Sequence, residues 1–130
     1  MTKLEEARAY FQNDHFATEN GAVIDEVGAD YAVCSLTLTD RHRNALGNVM
    51  GGVLFMLGDF AFAVASNFGK RPTVSTTSQI TFLRPAKGNQ LFARAEMVRE
   101  GRSSVYYEIS VSDDQGTLAA RLTASGSIIG

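Results

Sequence analysis

The sequence predicts an α+β domain in which a curved antiparallel sheet of five to six strands wraps one long helix, and three observations predict it. The stretch from Asn44 to Phe68, NALGNVMGGVLFMLGDFAFAVASNF, is apolar on every face after Gly51-Gly52, as a core helix is. Four strand-like runs follow it, separated by Arg84-Pro85, Gly101-Arg102 and Asp113-Asp114-Gln115-Gly116. Two more precede it between Ala22 and Thr39. A sheet buries one face and the helix is the only long element available to cover it.

Taken in order, Thr2 to Gln12 carries Leu4, Ala7 and Phe11 at helical spacing with Glu5 and Glu6 early, which suits a short amphipathic helix ended by Asn13-Asp14. Gly28-Ala29-Asp30 then reads as the turn between AVIDEV and YAVCSLTL, and period 2 sets Ala32, Cys34, Leu36 and Leu38 on one face. That makes Cys34 a small core residue rather than a catalytic thiol. Asp40 to Asn48 is a polar loop containing Arg41, His42 and Arg43; His42, like His15, is expected at the surface or in a loop. After the helix, VSTTSQITFL is a strand rich in β-branched residues, and NQLFARAEMVRE, SSVYYEISVSDD and TLAARLTASGSII form an antiparallel meander. Val98, Tyr106 and Ile129 leave apolar groups on the far face, so a homo-oligomer is expected, a dimer or a dimer of dimers.

Composition narrows the function. One domain, residues 1–130, accounts for the chain, with 45% hydrophobic and 20% charged residues. A net charge of -2 without a run of Lys or Arg argues against nucleic acid and against an electrostatic membrane anchor. One cysteine and an N-terminus lacking the apolar run of a signal peptide point to the cytoplasm. The helix falls short of the ~18 apolar residues of a membrane span, and Asp59 interrupts it. Two isolated His without ligand-spaced carboxylates make no metal site.

The chemistry-bearing residues have plain structural readings too. Asp59 is the only formally charged side chain after Gly51-Gly52 in this stretch, and a carboxylate in apolar surroundings needs a reason to be there. It serves either as a reacting group or as an N-cap where Gly58-Asp59 breaks the helix. Gly51 either offers its N–H at a positive helix end or merely permits a tight turn. Asn44 competes with an Asx-turn, and Ser75 and Thr76 with ordinary strand residues.

Asn44, Gly47, Met50-Gly51-Gly52 and Asp59, flanked by QITFLRPAKG and EGRSSVYYEISVSDDQG, resemble the hotdog-fold thioesterases of the PaaI-like group over nearly the whole chain. The resemblance implies hydrolysis of an acyl-CoA or aryl-acyl-CoA with no metal or redox cofactor, coenzyme A entering only as part of the substrate. Gly51 would hold the thioester carbonyl through its backbone N–H, a contact worth about 3–4 kcal/mol. Asp59 would be general base or nucleophile, Asn44 would orient the water or thioester, and Ser75 would bring a hydroxyl near the carboxylate. Arg84, Lys87 and Arg102 are the candidates for the phosphates of coenzyme A. The family's usual His before the two glycines is Met50 here, which keeps a non-catalytic acyl-CoA-binding module as the alternative. A hotdog hydratase is disfavoured because FAFAVASN carries no His one turn after Asp59. Phe55, Met56, Phe60 and Phe62 suit either an acyl pocket or plain core. Eight residues at ~1.5 Å rise put Gly51 and Asp59 roughly 12 Å apart, so the two are expected to meet only across two antiparallel chains.

Overall fold

The apolar segment forms helix α3, Gly51–Asn67, and the rest of the chain is arranged around it in a computed structural model that describes residues 1–130. Two short helices precede it, α1 (Lys3–Phe11) and α2 (His15–Glu19), then strands β1 (Val23–Val27) and β2 (Tyr31–Thr37) and a single 3-10 turn at Asp40–His42. Strands β3 (Thr73–Phe82), β4 (Gln90–Glu100), β5 (Ser104–Asp113) and β6 (Leu118–Ile128) follow. Helix α1 begins with a capping box: the Thr2 hydroxyl accepts from Glu5 N–H at 3.1 Å, and the Glu5 carboxylate accepts from Thr2 N–H at 2.9 Å. Helix α2 has no periodic apolar signature in its five residues, which is why the sequence does not announce it.

All six strands form one antiparallel sheet in the order β1-β2-β4-β5-β6-β3. The β4–β5–β6 meander is as expected. The chain leaving α3 crosses to the far edge, where β3 pairs with β6 and leaves its other edge without a partner in the chain. Register shifts at Asp25, Thr76 and Val98 mark bulges that bend the strands around the helix.

Strict alternation packs the concave face. In β5, Val105, Tyr107, Ile109, Val111 and Asp113 are buried while Tyr106 and Glu108 face outward. Small residues opposite the helix, Ala93, Ala95, Ala120 and Ala124, let it approach closely. Gly58 belongs to this set: a Cβ there would lie 2.9 Å from Leu122 Cδ1 and 3.0 Å from Cδ2. Gly58-Asp59 therefore does not break the helix, and Asp59 is not an N-cap; α3 runs through both residues. Its C-terminal carbonyls are met by Asn67 Nδ2 on Ala63 O (2.9 Å), Lys70 Nζ on Ala65 O (2.7 Å) and the Tyr107 hydroxyl on Ala65 O (3.3 Å). Asn67 Oδ1 in turn accepts from Thr73 N–H at 2.7 Å, which fixes where β3 starts.

His42 lies in the loop before α3, one of the two places expected for it, but it is not a surface residue. It is buried, its Nδ1 accepting from Thr39 N–H at 3.0 Å and its Nε2 lying 2.7 Å from Asn20 O. An acceptor at Nδ1 requires the neutral tautomer with the proton on Nε2, donated to that carbonyl. The ring thus ties the loop before α3 to the end of α2.

Candidate active site

Helix α3 begins where a short loop is closed tightly enough to aim its first amides outward. Arg43 and Val49 form an isolated antiparallel bridge, Asn44 N–H donates to Asn48 O at 2.8 Å, and Gly47 takes a positive φ of 84° that a side chain would resist. Met50 N–H donates to His42 O at 2.9 Å, so the buried histidine also positions the residue before the two glycines. No side chain caps α3, and the N–H groups of Gly51 and Gly52 find no acceptor in the chain. They stand at the positive end of the helix dipole, where developing negative charge is stabilised.

Gly51 faces a cleft of about 330 Å³ lined by Asn48, Val49, Leu54 and the Phe82–Ala86 segment that ends β3. A Cβ on Gly51 would lie 2.9 Å from the edge of the Phe82 ring, so glycine also lets that ring pack across the helix start. The packing role and the exposed amide coexist at one residue.

Asp59 opens into a different cleft, of about 320 Å³, with Asp14, His15, Phe16, Ala17, Met56, Phe60 and Ala63. It is half-buried and accepts no hydrogen bond from the chain. Desolvation first, and the negative charge of Asp14 second, push its carboxyl above the usual range. A carboxyl so placed is a stronger base than an exposed one and is not spent on structure. The two clefts have no residue in common.

The remaining candidates fall in separate places. Asn44 does make the Asx-turn: its Oδ1 accepts from Leu46 N–H at 3.0 Å and Asn48 N–H at 3.1 Å, which leaves the Nδ2 donor uncommitted. Ser75 is exposed on β3 and lines neither cleft, while Thr76 at the neighbouring bulge donates to Ser125 O at 3.1 Å. Arg84 borders the Gly51 cleft and Lys87 lies just beyond it. Arg102 does not join them. Its carbonyl accepts from Arg71 at 3.0 Å beside the opposite end of β3, roughly 30 Å away at ~3.3 Å per residue. The two groups flank β4 in the chain, and its 11 extended residues hold them at opposite ends of the sheet.

Cys34 is fully buried, and desolvation together with the charge of Asp25 pushes its thiol far above its ordinary value, so it is no nucleophile. No three His, Cys, Asp or Glu side chains converge to hold a metal ion. No helix is long and apolar enough to cross a membrane. His42 and Asp14 are the residues near the two clefts that sequence reasoning missed; nothing in a single sequence distinguishes them from loop polar residues.

Comparison with known proteins agrees with this architecture. Residues 46–120 match the family model of the thioesterase superfamily. The chain is 32% identical over 127 residues to acyl-coenzyme A thioesterase PaaI of Escherichia coli, covering 97% of this chain and 91% of that one. A putative esterase of Archaeoglobus fulgidus is 30% identical over 119 residues, 90% of this chain and 77% of the other. The solved structure of E. coli PaaI superposes with a TM-score of 0.91 at 30% identity, over 98% of this chain and 94% of that one. With the six-stranded sheet, the central helix and this match over most of its length, the chain belongs to the thioesterase superfamily and is a hotdog-fold thioesterase similar to PaaI.

Proposed function

We propose that this protein hydrolyses acyl-CoA thioesters, aryl-acyl groups among them, in the cytoplasm, at sites each built from two chains. One observation carries the reading: an uncommitted N–H pair at the start of α3 and an unpaired, desolvated Asp59 two turns later open into separate clefts of the same chain. An oxyanion donor and a base must each lie about 3 Å from the atoms they serve, and roughly 12 Å of helix separates these two. Two antiparallel copies of α3 bring Gly51 of one to Asp59 of the other. The free edge of β3 supplies a place for the copies to pair.

In this arrangement the thioester oxygen sits against the Gly51 N–H, and Asn44 Nδ2, the free end of an otherwise occupied amide, orients the carbonyl or the water. Asp59 then either takes a proton from water attacking the carbonyl carbon or attacks it directly to give a mixed anhydride that water cleaves. Both routes consume one water and release the acid and the thiol of coenzyme A. Ser75, on β3, reaches the reacting carboxylate only through the paired copy. Antiparallel pairing of two β3 strands also sets the end of one beside the start of the other, so Arg84 and Lys87 of one copy and Arg102 of the second converge on the phosphates of coenzyme A. No metal or redox cofactor is required. The lone buried thiol of Cys34 fits a reducing compartment.

Complementation tests the shared site. Inactive Asp59→Asn and Asn44→Ala proteins are mixed under conditions of subunit exchange and assayed for thiol release from a panel of acyl-CoAs. Random pairing leaves about half the dimers mixed, each with one intact site of two, so roughly a quarter of wild-type activity should return. No return of activity with exchange confirmed by mass defeats the shared site. Binding without turnover by the wild-type protein defeats the hydrolase reading itself.

A further inference from the structure

Asp14 holds the N-cap position of α2, where an aspartate ordinarily turns its carboxylate onto the first amides of its own helix, yet this one makes no capping hydrogen bond. Its backbone is firmly held: Asp14 N–H donates to Phe11 O at 3.0 Å, and Asp14 O accepts from Thr18 N–H at 3.0 Å and the Thr18 hydroxyl at 3.1 Å. The side chain lines the cleft of Asp59 instead. We propose that Asp14 is a positioning residue for the hydrolysis, placed by the turn between α1 and α2 so that its carboxylate faces Asp59 across one cleft and sets how strongly Asp59 takes up a proton.

The surroundings leave Asp14 as the charge that matters. The only other titratable side chain lining the cleft is His15, whose Nδ1 lies 3.3 Å from Glu19 on the exposed side of α2. Helix α3 contributes no second charged group, and the strands beneath it present mainly aliphatic side chains, with the Cys34 thiol on β2, the Tyr107 hydroxyl already bonded to Ala65 O, and the Asp113 carboxylate held by three backbone amides at the end of β5. Desolvation raises the carboxyl of Asp14 as well, an effect that nearby His15 opposes. The charge of Asp14 raises the carboxyl of Asp59, and because repulsion between two carboxylates across one cleft is mutual, neither titrates independently of the other. Removing the Asp14 charge therefore removes one of the two influences that hold the carboxyl of Asp59 above its usual range, desolvation being the other. A reacting carboxylate kept basic in this way is the better proton acceptor once ionised.

The inference rests on Asp59 being the reacting carboxylate, and its test has one readout that needs no turnover. The kcat/KM of wild type, Asp14→Asn and Asp14→Ser is followed against pH, serine being included because it can cap α2 and so guards against a merely structural loss. In parallel, the carboxyl carbon of Asp59 is titrated by NMR in the same three proteins. Both variants should ionise Asp59 at lower pH, move the acid limb of the rate profile the same way, and turn over more slowly on the plateau. An unmoved or raised Asp59 titration overturns the proposal, as does a fall in melting temperature with the acid limb unchanged. If wild type hydrolyses none of the acyl-CoAs, the proposed function fails separately, and the NMR titration still decides whether Asp14 governs Asp59.

Discussion

Removing the carboxylate of Asp113 should unfasten the wall of the Gly51 cleft. Asp113 ends β5, is only 4% exposed, and accepts three backbone N–H groups: Lys87 on Oδ2 at 2.6 Å, Gln115 at 2.9 Å and Thr117 at 2.8 Å on Oδ1. These bonds close the β5–β6 turn and pin the segment after Phe82, whose residues through Ala86 line the cleft. Desolvation raises the carboxyl, but the amides of Lys87, Thr117 and Gln115 outweigh it, and the net shift is downward. Hydrogen bonds to a charged group contribute about 1.5–3 kcal/mol each, less when they share one acceptor and border solvent. Asp113→Ala should therefore cost about 2–4 kcal/mol. Asp113→Asn should cost about half of that, since its single oxygen keeps the turn amides while its NH₂ opposes Lys87 N–H. A folded pKa below the unfolded value of about 3.9 contributes stability fully above that value and loses it as pH falls through the folded pKa. Urea unfolding of wild type and both variants at pH 7 and pH 3 measures this. The difference from wild type should be full at pH 7 and shrink toward pH 3; a loss under about 1 kcal/mol, or one independent of pH, refutes the reasoning.

Asp59→Asn should fold as well as wild type or slightly better near neutral pH, because it removes a desolvated charge, and should lose at least tenfold in kcat; retention of more than about a tenth removes Asp59 from the chemistry. Gly58→Ala should cost about 1–3 kcal/mol in chemical unfolding, the added methyl meeting Leu122 at 2.9 Å, and a neutral outcome would mean α3 shifts freely on the sheet. Cys34 should stay unreactive toward a disulfide reagent in the native protein and react once unfolded, which also clears the way for reading coenzyme A release with such reagents; rapid native labelling would contradict its burial.

Local pattern determined the elements and their faces, because periodicity and turn chemistry act over a few residues. The apolar run after Gly51-Gly52 became α3, period 2 buried Ala32, Cys34 and Leu36, and Gly28-Ala29-Asp30 became a turn. Motif resemblance singled out Gly51, Asn44 and Asp59, and helix rise alone separated the first from the last. Tertiary structure decided what depends on distant segments meeting. Gly58 reads as a possible break until Leu122 is known to lie 2.9 Å from its missing Cβ, and His42 reads as a loop residue until Asn20 and Thr39 enclose it. Arg102 groups with Arg84 by composition alone; the length of β4 between them sets the two at opposite ends of the sheet, while the place of Arg102 beside the start of β3 follows from β3 joining the sheet at its far edge, a choice fixed by packing and not by any neighbouring residue. Asp14 entered the cleft of Asp59 for the same reason: the short turn that carries it is placed by contacts between α1, α2 and the sheet, which no local signal encodes.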